Sequence, residues 1–102
     1  MGNFDYNTKE VNQKVELLKC ISHAVRLEML DMIIMEKQMC VSDIAHALDM
    51  KMSEVSFHLI LLKNKGILSS RREGQKSMYS ISTPEKREFL KDIIHKKYHF
   101  DD

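Results

Sequence analysis

Val41–Gly66 reads VSDIAHALDMKMSEVSFHLILLKNKG, and the fold turns on how this stretch divides. Ile44, Ala45 and Leu48 sit at helical spacing in its first third, which predicts a short helix with Ser42 as its cap. Asp49 follows, one of the few non-glycine residues that tolerate a left-handed backbone. Val55, Leu59 and Leu62, with Ile60 beside them, then mark the inner face of a second helix, and Gly66 ends it as a C′ residue. Two helices joined by a turn of about four residues form a helix-turn-helix. The first half of the second helix is short-chained and polar, yet it carries Met52 and Phe57 among its serines.

Upstream, TKEVNQKVELLKCI places Val11, Val15, Leu18 and Ile21 on one stripe of an amphipathic helix. Ser22 stands where it would cap the next helix, HAVRLEMLDMIIMEKQ. That helix is apolar almost all round, from Val25 to Met35, and belongs at the centre of a small fold. Downstream, ILSSRREGQKSMYSIS loses the helical period. Tyr79 and Ile81 alternate with Met78 and Ser80 about a REGQ turn, which predicts a β-hairpin. Thr83 and Pro84 form a cap and an N1 proline. They open a last helix with Phe89, Leu90, Ile93, Ile94 and Tyr98 on one side. The expected fold is mainly α with a small β-hairpin (α+β), a winged helix-turn-helix in one domain, 1–102. It divides into an N-terminal arm (1–8), the helix-turn-helix (41–66), a wing (67–82) and a C-terminal helix (84–99).

A chain of 102 residues can bury one modest core. No apolar run reaches the roughly 18 residues of a membrane span, so no membrane partner is expected. The polar start, MGNFDYNTKEVNQ, predicts no signal peptide. Tyr6 stands where a myristoylation motif wants Ser or Thr. Two cysteines are too few for a disulfide framework, and a reduced, cytoplasmic setting is expected. The net charge of +1 is unevenly spread. Lys51–Ser82 holds six basic and two acidic residues, and the remainder is net acidic. That is the footprint of a polyanion partner, or else a solvated hairpin that is basic. No phosphate loop, Cys-His motif or catalytic carboxylate pair points to an enzyme.

Duplex DNA suits this layout. The exposed start of the second helix fits a major groove, and a basic hairpin can grip the neighbouring backbone. The candidate contacts are Lys51, Met52, Ser53, Ser56, Phe57 and Lys63 on the helix, and Arg71, Arg72, Gln75 and Lys76 on the wing. Small winged helices also serve as protein-interaction modules, or as antagonists of other regulators.

From Leu17 to Ser82 the chain resembles the arsenical-resistance and metallothionein repressor (ArsR/SmtB) family of bacterial winged-helix proteins. LLKCISHAVRLEML resembles the family's L-x-x-L-a-x-p-x-R-L-x-I-L opening, with Arg26 and Leu27 in place. MCVSDIAHAL is similar to E-L-C-V-C-D-L-A-x-x-L, and MSEVSFHLILLKNKGIL to S-x-V-S-x-H-L-x-x-L-x-x-x-G-L. RREGQKSMYSI is similar to the wing pattern R-x-G-x-x-x-x-Y-x-L. The resemblance implies a homodimer paired through its first and last helices, a palindromic operator, and repression relieved by an effector. It also carries DNA contact over to Ser53 and Ser56.

The departures from the family carry as much information. Its recognition helix begins S-Q-S, with a further polar residue before H-L. Lys51, Met52 and Phe57 stand at those positions here. Lys51 cannot cap, so Ser53 is expected to take over some capping. Met52 and Phe57 either pack on thymine methyl groups or turn into the protein. His58 reads as a hydrogen-bonded structural or phosphate-contacting residue.

The family's thiol site takes both cysteines of C-V-C, and this chain has Cys40-Val41-Ser42. Cys20 and Cys40 are candidates for a nonstandard redox pair, or else small buried hydrophobes. The family's other metal site, D-x-H facing H-x-x-[EH], is not matched in spacing. Glu88, Asp92, His95 and His99 do share one helical face, which is either solvated or a weak metal ladder through Asp92, His95 and His99. No cofactor is expected. Most of the eight methionines lie at core spacing rather than forming a copper site.

Overall fold

Thr8 starts the first helix, α1 (Lys9–Ile21), by accepting a hydrogen bond from the Val11 N–H. The computed structural model describes residues 2–95. Its remaining elements are α2 (Ala24–Glu36), β1 (Met39–Cys40), α3 (Val41–Leu48), α4 (Met52–Asn64), β2 (Leu68–Glu73), β3 (Lys76–Ile81) and α5 (Pro84–His95). The helices and the hairpin follow in the order the sequence predicts. Residues 96–99 of the expected last helix lie outside the described residues.

α2 is the central element. Met29, Leu30, Ile33 and Ile34 are fully buried, and Ile44 of α3, Val55, Leu59 and Leu62 of α4 and Leu90 of α5 close around them. Tyr79 joins this core from the sheet. Burying a side chain of this size contributes about 1.5–3 kcal/mol, so these positions provide much of the driving force for folding.

Both helices of the helix-turn-helix end in the same way. The Met50 N–H reaches the Ala45 carbonyl and the Asp49 N–H reaches the His46 carbonyl. At the end of α4 the pairs are Ile67 to Leu62 and Gly66 to Lys63. These are Schellman closures, which need a left-handed residue. Asp49 supplies it at φ 53 and Gly66 at φ 78. The turn between α3 and α4 is therefore set by backbone chemistry that the sequence advertises.

Two caps differ from expectation. Ser22 closes α1 rather than opening α2: its hydroxyl donates to the Lys19 carbonyl at 2.8 Å, and His23 precedes α2 without a side-chain cap. Ser42 does not cap α3, because β1 runs straight into that helix and Cys40 occupies the capping position. The Ser42 hydroxyl lies 3.2 Å from the Cys40 sulfur instead. Thr83 behaves as read, accepting from the Lys86 N–H ahead of α5.

The sheet has three strands, not two. β1 adds to the hairpin's far edge in the order β1-β3-β2, with Met39 opposite Tyr79 and Cys40 opposite Met78. The hairpin register runs from Leu68↔Ile81 to Glu73↔Lys76, leaving a two-residue turn of Gly74 and Gln75. Gly74 at φ 62 takes the first turn position, the arrangement of a type II′ hairpin.

The stripe predicted for α1 is offset from the face that meets the core. Leu17, Cys20 and Ile21 pack inward, while Val15 and Leu18 are 39% and 45% exposed. α1 thus has two apolar faces, and one is left uncovered in the single chain. α5 buries Leu90 and half-buries Phe89, Ile93 and Ile94. It is tied to α2 by Arg87, which donates to the Ile34 carbonyl, and by a close His95–Asp31 pair. Among the described residues no helix is long and apolar enough to cross a membrane.

Candidate nucleic-acid interface

The start of α4 is uncapped. Lys51 holds the capping position without a side-chain hydrogen bond, so Ser53 does not take over that task. The first α4 hydrogen bonds run from Glu54 and Val55 to the Lys51 carbonyl. The N–H groups of the first turn have no partner within the helix and lie at the positive end of its dipole, where negative charge is favoured.

Lys51, Met52, Ser53 and Phe57 are exposed, and Ser56 is half-buried. Met52 is 55% and Phe57 61% exposed, which disposes of the expectation that they turn into the protein. Ile60, read from the sequence as leaning inward, is 47% exposed, and Leu61 takes the inner, half-buried place. α4 is apolar on so many sides that the phase of Ile60 was not readable.

On the wing, Arg72, Gln75 and Lys76 are exposed. With Met52 of α4, Cys40 of β1, Ser77 and the start of α3 they line a cleft of about 240 Å³ beside the hairpin. The structure therefore brings Met52, Arg72, Gln75 and Lys76 together. It draws two other candidates partly away. Arg71 pairs with Glu73 at 2.6 Å and donates to Gln38 at 3.0 Å. Lys63 donates to the Ser70 hydroxyl at 2.8 Å, linking α4 to β2. Gln38, which also donates to Glu73, is a wing-supporting residue with no signal in the sequence.

Behind the helix, the Arg26 Nε donates to Nδ1 of His58 at 3.2 Å. This acceptor role requires the neutral ring with its proton on Nε2. Burial, then the charges of Arg26 and His23, hold the His58 pKa below its ordinary value, with Glu54 opposing. The Phe57 ring meets His58 edge-on, with centroids 5.6 Å apart. The structural reading of His58 is met, and its partner is the Arg26 that the sequence motif contains.

Cys20 and Cys40 are free and buried. Cys40 has the Ser42 hydroxyl beside it, so a site needing several thiolates does not fit this element. In the polar ladder of α5, Glu88, Asp92 and His95 are all exposed, and His95 also pairs with Asp31 of α2. His99 lies outside the described residues. Among the described residues no group of three or more His, Cys, Asp or Glu is placed to hold a metal.

A helix-turn-helix followed by a hairpin that borders its second helix defines the winged helix-turn-helix class. Residues 23–70 match the model of the arsR family of bacterial regulatory proteins. Transcriptional repressor PagR of Bacillus anthracis is 33% identical over 76 residues, 74% of this chain and 76% of PagR. The crystal structure of PagR superposes with a TM-score of 0.74 at 30% identity, covering 82% of this chain and 95% of that one. HlyU from Vibrio cholerae has a TM-score of 0.80 at 28% identity, over 88% of this chain and 96% of HlyU. The arsenic resistance transcriptional regulator ArsR1 of Pseudomonas putida is 35% identical over 65 residues, 64% of this chain. The chain spans about half, 51%, of the length of that regulator. The chain belongs to the arsR family of bacterial transcriptional regulators.

Proposed function

We propose that the chain is a dimeric, sequence-specific DNA-binding regulator, a repressor that leaves a palindromic operator when an effector or redox signal acts on it. The observation that carries this reading is the cleft shared by Met52 of α4 and Arg72, Gln75 and Lys76 of the wing, beside the uncapped helix start. It offers a duplex one helix for the groove and a basic edge for the adjoining phosphates. Lys51, Ser53, Ser56, Phe57 and Lys63 extend the contact along the helix, and Arg71 supports the wing. The uncovered Val15 and Leu18 on α1 support dimerisation through the first and last helices. The reading needs no resident cofactor.

The test is titration of the full chain against a palindromic duplex across a salt series, with mass measured on the complex. Affinity that falls steeply with salt, with two chains per duplex, supports the proposal. A salt-insensitive interaction or none, with a monomer at all concentrations, sinks it. The exposed Met52 and Phe57 favour a second reading in that event, a protein-docking winged helix.

A further inference from the structure

Phosphate contacts leave part of the α4 surface unexplained. Phe57 and Ile60 lie three residues apart, which places them about 60° around the helix and about 4.5 Å along it. Both stand in solvent. The Phe57 ring meets His58 edge-on, and His58 accepts a hydrogen bond from Arg26. Between Met52 and Lys63 there is no Asn, Gln or Arg, the side chains that commonly read base edges.

One group in the major groove matches an apolar side chain: the 5-methyl of thymine. Side chains three residues apart on a helix have Cβ atoms about 5–6 Å apart, a span within reach of neighbouring base pairs stacked about 3.4 Å apart. The charge around them favours a duplex over an apolar protein surface, with six basic and two acidic residues between Lys51 and Ser82. We infer that Phe57 and Ile60 are specificity-determining residues that read thymine methyl groups at neighbouring positions of each operator half-site. This rests on the proposed DNA-binding function and adds what the site recognises.

The test uses the full chain and a duplex recovered from a random pool by binding. The same duplex is then made with deoxyuridine at every thymine, which removes only the methyl. A buried methyl corresponds to about a fourfold change in affinity, so losing two weakens binding on the order of tenfold per half-site. Single replacements are expected to localise the loss to one or two positions in each half-site. Phe57→Ala with Ile60→Ala is expected to bring the two duplexes to equal affinity. Both side chains are exposed, and a thermal melt matching the wild type shows that the variant is folded. Equal binding of thymine and uracil duplexes by the wild type overturns the inference while DNA binding stands. Absence of salt-sensitive binding to any duplex overturns the reading beneath it as well, and the apolar pair is then a protein-docking face.

Discussion

Replacing both Arg72 and Lys76 by alanine is expected to flatten the salt dependence of DNA binding far more than replacing Arg71. Arg72 and Lys76 stand exposed beside the cleft with Met52, so each is available to a phosphate. The Arg71 guanidinium is already engaged by Glu73 and Gln38. Each phosphate contact contributes about 0.9 to the slope of log affinity against log salt, so four contacts in a dimer contribute about 3.6. Across a fourfold rise in salt, the wild type should then lose about 150-fold more affinity than the double variant. Fluorescence anisotropy of a labelled duplex from about 50 to about 200 mM salt reads this directly. Arg71→Ala should lower the slope by less than one contact per protomer. Parallel lines for wild type and double variant would refute the reasoning, as would a larger effect from Arg71 alone.

Three further outcomes are expected. His58 has a lowered pKa in the folded chain, so the unfolded chain takes up its proton first. Stability should therefore fall as pH drops through about 6.5, the unfolded value, and level off below the folded pKa. His58→Gln should remove that part of the pH dependence, as measured by urea unfolding across the range. Gly66→Ala should cost about 1–2 kcal/mol, because φ 78 is strained for any side chain. The added Cβ would meet only the Lys86 Nζ at 3.8 Å, so thermal melting should show a folded protein with a lowered midpoint. Leu18→Glu should leave the single chain folded and abolish the dimer in sedimentation analysis, because Leu18 lies outside the chain's own core. A dimer of unchanged strength would place the interface elsewhere.

The helix-turn-helix was legible because two independent signals agree there. Apolar spacing gives the helices, and Asp49 and Gly66 supply the left-handed residues that stop them. The third strand was not legible, since Met39 and Cys40 are too few to show a period and their pairing with β3 is long-range. Ser22 and Ser42 misled for a shared reason. Ser22 ends the preceding helix through its bond to Lys19, whereas Ser42 already lies inside α3 behind Cys40; in both cases only the path of the neighbouring backbone decides. α1 offered two apolar stripes, and nothing local ranks the one containing Val15 and Leu18 against the one containing Leu17 and Ile21. In the site, positions on α4 and the wing followed from order alone. The engagement of Arg71 by Gln38 did not, because those residues lie 33 apart in the chain.

The Gly66 carbonyl receives two donors, the Ser82 hydroxyl at 2.6 Å and the Lys86 ammonium at 2.9 Å. Ser82 also donates its N–H to Ile67, so both feet of the hairpin meet the end of α4 at this point, and α5 reaches it through Lys86. Three segments thus share a single oxygen as their fulcrum. Displacing the first turn of α5 must either drag the base of the wing and the tail of the recognition helix along or break the joint. The joint thus couples α5 to the base of the wing and the end of α4 by a route that does not cross the core around Met29 and Leu30.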